Sequence, residues 1–117
     1  MAMKKIIIAE NKDFLGKVIE TWLGQEATCL RVERGLQAVS VATSADVAVA
    51  SDNLTDLPGE KILLELKQAH PGLPVVMLTS EVSSAVRVKY LTLGADDVLT
   101  KPFNPKELKL RVVRLMK

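Results

Sequence analysis

One cysteine, one histidine, one tryptophan, one tyrosine and two phenylalanines stand among 117 residues, and these shortages remove several functions. A lone Cys29 cannot close an internal disulfide, which fits a cytoplasmic chain better than a disulfide-stapled secreted one. The thiol itself reads as a small core residue. His70 precedes Pro71-Gly72 in a turn, so it reads as a solvated loop residue and supplies no base to a site elsewhere. No apolar run approaches the length of a membrane span, and Lys4-Lys5 leads straight into a strand pattern. A net charge of +2 is too small to argue nucleic-acid binding, and the basic residues that gather late in the chain have only Tyr90 near their first members and Phe103 before the last helix. That lacks the aromatic interleaving of a single-strand binder. There is no glycine-rich phosphate loop, since Asn11-Lys12-Asp13-Phe14 follows the first strand pattern.

What is present is alternation. Short apolar or β-branched runs fall at Lys5 to Ala9, Thr28 to Val32, Val47 to Ala50, Val75 to Leu78 and Val98 to Thr100. Helical patterns separate them. Leu15, Val18, Ile19, Trp22 and Leu23 form one stripe, ended by Gly24; Ile62, Leu63 and Leu66 form a second; Val88 and Leu91 a shorter third; Leu108, Val112 and Leu115 a fourth. Gly35 to Thr43 is a weaker helix, because Val39, Val41 and Thr43 suit a strand as well. With 48% hydrophobic residues and no low-complexity stretch, the chain is expected to fold as one domain over residues 1–117.

Strands that read as unbroken apolar runs are those buried on both faces of a parallel sheet. The pattern predicts an open α/β sandwich with helices on both faces, and its ligands belong outside the carboxyl ends of the strands. Polar residues stand there: Glu10 and Asn11 after the first strand, Ser51, Asp52 and Asn53 after the third, Thr79 and Ser80 after the fourth, Lys101 after the fifth. Groups drawn from four chain segments to one sheet edge make a candidate site.

These residues resemble the receiver domains of two-component response regulators, over the whole chain. Gly94 to Phe103, reading Gly-Ala-Asp-Asp-Val-Leu-Thr-Lys-Pro-Phe, is similar to the family's last strand and its Lys-Pro. Leu73 to Ser80 is similar to its fourth strand with the phosphate-binding hydroxyl, and Gly59 to the glycine eight residues after the acceptor. The resemblance implies a flavodoxin-like (βα)5 fold, a doubly wound five-stranded parallel sheet in a three-layer α/β/α sandwich. It also implies a cis Lys101-Pro102 bond.

The same resemblance implies an aspartyl phosphoacceptor, with Mg²⁺ held by that aspartate, by an acidic pair after the first strand and by a backbone carbonyl. Counting back from Gly59, the acceptor position is Ser51, and the acidic pair reads Glu10-Asn11. One carboxylate of three remains, and Mg²⁺ demands hard anionic oxygens. Weak or absent Mg²⁺ binding is expected, and no other cofactor. A serine hydroxyl is no substitute acceptor without an adjacent base.

Asp52 has three readings: a loop residue capping a turn, a partner for the Lys101 ammonium, or a displaced phosphoacceptor with Mg²⁺ after a one-residue strand slip, which would turn side chains to the other face. Thr79 and Lys101 are retained, either as an anion site or as architecture. The structural role asks for a carboxylate near Lys101, Glu10 or Asp52, because a buried lysine without a partner loses its proton.

The aromatic that such receivers place on the fifth strand is Val98 here, while Phe103 reads as packing at the start of the last helix. Asn104 and Pro105 open that helix as N-cap and first residue. Its wording resembles receivers of winged-helix transcription factors, which dimerise through the fourth helix, fifth strand and fifth helix. Asp97, Arg111 and Lys89 match the charged positions of that surface; an ordinary solvated charged face is the alternative.

The expected function is therefore that of an atypical, pseudo-receiver module, not an enzyme, acting in signal transduction or transcription regulation. It would work through self-association or a signalling partner, independently of phosphorylation, and would reach DNA only through an output domain outside this sequence. A phosphorylatable receiver using Asp52, and an unrelated use of the scaffold, are the alternatives.

Overall fold

The computed structural model describes residues 3–116. Five strands and five helices alternate along the chain: β1 (Lys5–Ala9), α1 (Asp13–Leu23), β2 (Thr28–Val32), α2 (Gly35–Val41), β3 (Val47–Ser51), α3 (Gly59–Ala69), β4 (Val75–Thr79), α4 (Ser84–Thr92), β5 (Asp97–Thr100) and α5 (Pro105–Leu115). All neighbours in the sheet are parallel, in the order β2-β1-β3-β4-β5. This is the flavodoxin-like arrangement, and its order reverses beside β1. The strands lie where the apolar runs predict; β3 and β4 each gain one polar residue at the end, Ser51 and Thr79, and β5 starts one residue earlier, at Asp97.

Two apolar layers sandwich the sheet. Ile7, Ala9, Ala48, Ala50, Val75 and Met77 face α2, α3 and α4, where Ile62, Leu63, Leu66 and Tyr90 cover them. Ile6, Ile8, Val47, Val49, Val76 and Leu78 face α1 and α5, where Ile19, Leu23, Leu108 and Val112 cover them. The period-two alternation of side chains divides each strand between these layers, which is why both faces had to be apolar. Cys29 and Phe103 pack half-buried against the second layer.

Two local readings are corrected and one holds. Val88 and Leu91 do not form the buried stripe of α4: they are 60% and 48% exposed, and Tyr90 is the buried residue of that helix. His70 is not merely solvated; it is half-buried after α3, with ring Nε2 3.0 Å from the Val39 carbonyl. Gly24 ends α1 in ordinary right-handed geometry (φ −63°). Gly94 is the glycine whose backbone requires it, at φ +113° in the turn from α4 to β5.

The weak α2 pattern is a helix because its first turn is capped from elsewhere. Asp56, in the loop after β3, accepts the N–H groups of Gly35 and Leu36 at 2.9 and 3.0 Å. Burial raises the Asp56 carboxyl, but these two N–H donors, its own backbone N–H and nearby Arg34 outweigh it and hold it below its ordinary value. The Lys101-Pro102 bond is cis. Among the described residues, no helix is long and apolar enough to cross a membrane.

Candidate functional site

Parallel strands joined by right-handed crossovers all end at the same edge, so the residues just past β1, β3, β4 and β5 converge. Backbone bonds carry the pairing past the strands and fix these positions: Glu10 N–H donates to Val32 O (3.0 Å), Asp52 N–H to Leu78 O (2.9 Å) and Lys101 N–H to Thr79 O (2.7 Å).

Among the described residues, Glu10, Ser51 and Thr79 are the buried polar ones, at 0%, 0% and 1% exposure. Glu10 is the hub. Its Oε1 accepts a hydrogen bond from the Ser51 hydroxyl and lies 3.0 Å from the Lys101 ammonium; its Oε2 accepts the Lys12 N–H at 3.0 Å. Burial by itself would raise the Glu10 carboxyl, but the Ser51 hydroxyl, the Lys12 N–H and the Lys101 ammonium together outweigh it and hold the group below its ordinary value. Lys101 is itself 12% exposed at its side chain and reaches Asn53 Oδ1 at 3.4 Å. Of the two carboxylates that could balance Lys101, Glu10 is therefore its partner.

Asp52 points the other way, as pleat alternation requires of the residue after Ser51. Its Oδ2 accepts the Tyr90 hydroxyl at 2.8 Å, so the reading of Asp52 as a partner for Lys101 does not hold. Burial, and then the Asp52 carboxylate, push the Tyr90 hydroxyl well above its ordinary value, so it remains a donor. Gly59 sits beneath this contact: a Cβ there would lie 2.4 Å from the Tyr90 hydroxyl and 2.5 Å from Asp52 Cβ. Here the glycine is needed for space.

Asn11 follows Glu10 with its Oδ1 buried and without a hydrogen-bond partner. Thr79 Oγ1 accepts the Glu81 N–H at 3.1 Å, and Ser80 is exposed beside it. Arg31, which sequence reasoning passed over, reaches from β2 across Gly16 to Asp13 (2.7 Å), and donates to the Glu10 carbonyl at 3.2 Å. Tyr90 was missed likewise, whereas Asn53 stood among the polar residues after the third strand. Only the position of Asn53 after β3 pointed to it, and nothing local marked Arg31 or Tyr90.

At the far side of the sheet, Asp97 on β5 pairs with Arg111 on α5 at 2.8 Å within one chain, and Arg111 also reaches Glu107 at 2.9 Å. Lys89 on α4 pairs instead with Glu60 on α3, at 3.4 Å. Arg87, Asp97 and Arg111 line one open groove between α4 and α5.

Comparison with known proteins gives a consistent answer. The family described as "Response regulator receiver domain" matches residues 6–113. The transcriptional regulatory protein CreB of Escherichia coli K12 is 32% identical over 120 residues, covering 100% of this chain and 52% of CreB. The regulatory protein VanRc of Enterococcus gallinarum is 31% identical over 112 residues, covering 93% of this chain and 48% of its own. The chain thus spans about half the length of the curated relatives it matches. Among solved structures, the BeF3-activated DrrB receiver domain superposes with a TM-score of 0.91 at 29% identity, covering 98% of both chains. DrrB is described in a second structure as a Thermotoga maritima OmpR/PhoB homologue, also with a TM-score of 0.91 at 29% identity, and that match covers 98% of this chain and 53% of the other.

Proposed function

The chain belongs to the response regulator receiver domain family of two-component signalling, and from that premise we propose that it signals through protein contacts without aspartyl phosphorylation. The observation that carries this reading is the state of the acceptor position. Ser51 is fully buried and its hydroxyl is engaged by Glu10. Glu10 stands as an adjacent base, but its carboxylate is held below its ordinary value and is too weak a base to ionise the hydroxyl. Glu10 takes over as the counter-ion of Lys101, and the edge is electrically closed without an acceptor.

Mg²⁺ does not fit these residues. The candidate ligands are Glu10, Asn11 and Ser51, one anion and two neutral groups, and both oxygens of the anion already accept from Lys101, Ser51 and Lys12. A small ion that parts reluctantly with its hydration gains too little from one anion already engaged. The unpartnered Asn11 oxygen adds a dipole and no charge. Retained Thr79 and Lys101 act as architecture in this account.

The alternative, phosphate on Asp52 with Mg²⁺, is disfavoured because the Asp52 carboxylate faces α4 and is bound to Tyr90, away from Lys101. The working surface we propose is that of α4, β5 and α5. Val88 and Leu91 are exposed there, with Lys89, Asp97 and Arg111 as charged groups, and a second copy of the chain or a signalling protein docks on it. The setting is cytoplasmic, and DNA is reached only through a further domain of a longer protein. Sedimentation of the wild type and of Asp97→Arg, with and without a phosphodonor, tests the surface. Self-association that ignores the donor and disappears in the variant supports it; a variant that still associates refutes it.

A further inference from the structure

We infer that the Asp52–Tyr90 hydrogen bond is a catch that fastens α4 to the degenerate site, taking the place of the missing aromatic on β5. The inference rests on the α4 surface proposed above and adds how that surface is held in position. Three observations carry it.

First, α4 has little else to hold it. Tyr90 is its one buried side chain, Val86 is half-buried, and the remaining residues from Ser84 to Leu91 are exposed. The Ser83 cap on Ala85 N–H at 3.1 Å is local to the helix, and the exposed Lys89–Glu60 pair at 3.4 Å contributes little. Second, Tyr90 is a directed contact as well as a filler of space. Its ring joins the core layer formed by Leu54, Leu63 and Val98, while its hydroxyl donates to Asp52 at 2.8 Å. A hydrogen bond to a charged acceptor is stronger and more orienting than a neutral one, and this one is part-buried. Gly59 leaves room for this approach, since any Cβ there would collide with both partners.

Third, Asp52 is the residue after Ser51, and its own N–H is bonded to Leu78 O. The backbone that places the Ser51 hydroxyl on Glu10 therefore also places the carboxylate that grips α4. Val98, 7% exposed on β5, has no polar atom with which to make such a link. The end of β3 and α4 act as one unit, and the outward Val88, Lys89 and Leu91 keep one orientation while the catch is closed.

Amide hydrogen exchange on the wild type, Tyr90→Phe and Asp52→Ala tests this. Tyr90→Phe keeps the ring and removes only the hydroxyl. The expected result is exchange at least about tenfold faster through residues 84–92 in each single variant, no further rise in the double variant, and unchanged exchange in α5 and in β1 and β3. Unchanged exchange of α4 in Tyr90→Phe, or a rise spread evenly over the chain, would overturn the catch. Phosphate uptake is a separate readout, so failure of the functional reading is recognised independently of this one.

Discussion

Replacing Lys101 by methionine removes the ammonium from a carboxylate that has no access to water. Glu10 is 0% exposed and Lys101 sits 3.0 Å from its Oε1. Breaking a buried pair by deleting one partner typically costs 3–5 kcal/mol; here the Ser51 hydroxyl and Lys12 N–H still hold the anion, which places the expected loss at about 3 kcal/mol. In a domain of this size that lowers the melting midpoint by about 12 °C. The loss should depend on pH in a defined direction. In the wild type the folded Glu10 carboxyl is held below its ordinary value, so its stabilisation is present above the unfolded pKa and is lost as pH falls through the folded one. Without the ammonium the Ser51 hydroxyl and the Lys12 N–H remain, but the folded pKa moves upward from its wild-type position, so the folded variant binds its proton at a higher pH than the wild type does. Urea titrations at neutral pH and at about pH 4 should therefore show the gap between wild type and Lys101→Met narrowing in acid. Adding Glu10→Gln should recover most of the loss, because no buried charge is then left alone. A loss below about 1 kcal/mol, the size of an exposed pair, or a gap that does not move with pH, would refute this account of the site.

Asp56→Ala should destabilise the domain by about 1 kcal/mol by uncapping α2, read as a lower urea midpoint. Because the folded Asp56 carboxyl is held below its ordinary value, the wild-type advantage should be present above the unfolded pKa and should fade as pH falls through the folded one; an advantage that persists in strong acid would contradict the capping role. Gly59→Ala should cost about 2 kcal/mol, since its new Cβ meets Tyr90 and Asp52 at under-contact distances. The loss should be smaller in a Tyr90→Phe background, and thermal melts of the four proteins decide it.

The strands were legible because burial on both faces leaves no polar positions: Ile6 to Ala9, Val47 to Ala50 and Val75 to Leu78 are continuous apolar runs and read as nothing else. The convergence of Glu10, Ser51, Thr79 and Lys101 followed from topology, which needs only the element order. Partner choice did not follow. Glu10 and Asp52 were equal candidates for Lys101 until the pleat set Ser51 and Asp52 on opposite faces, sending one carboxylate to Tyr90, 38 residues away. Residue spacing misled in α4, where Val88 and Leu91 mimic a stripe while a tyrosine with a distant polar partner does the burying. The same limit hid the cap of α2, whose N-cap residue Arg34 makes no side-chain bond and whose carboxylate arrives from the next loop.

We propose that Ser51 and Asn11 disarm the acceptor of this receiver fold. The direct test is the intact mass after incubation with Mg²⁺ and a small-molecule phosphodonor, on the wild type, on Asp52→Asn, and on the double variant Asn11→Asp with Ser51→Asp. No added phosphate is expected on the wild type or on Asp52→Asn, and one on the double variant. A phosphate on the wild type that vanishes with Asp52→Asn would contradict it, and would make Asp52 the acceptor.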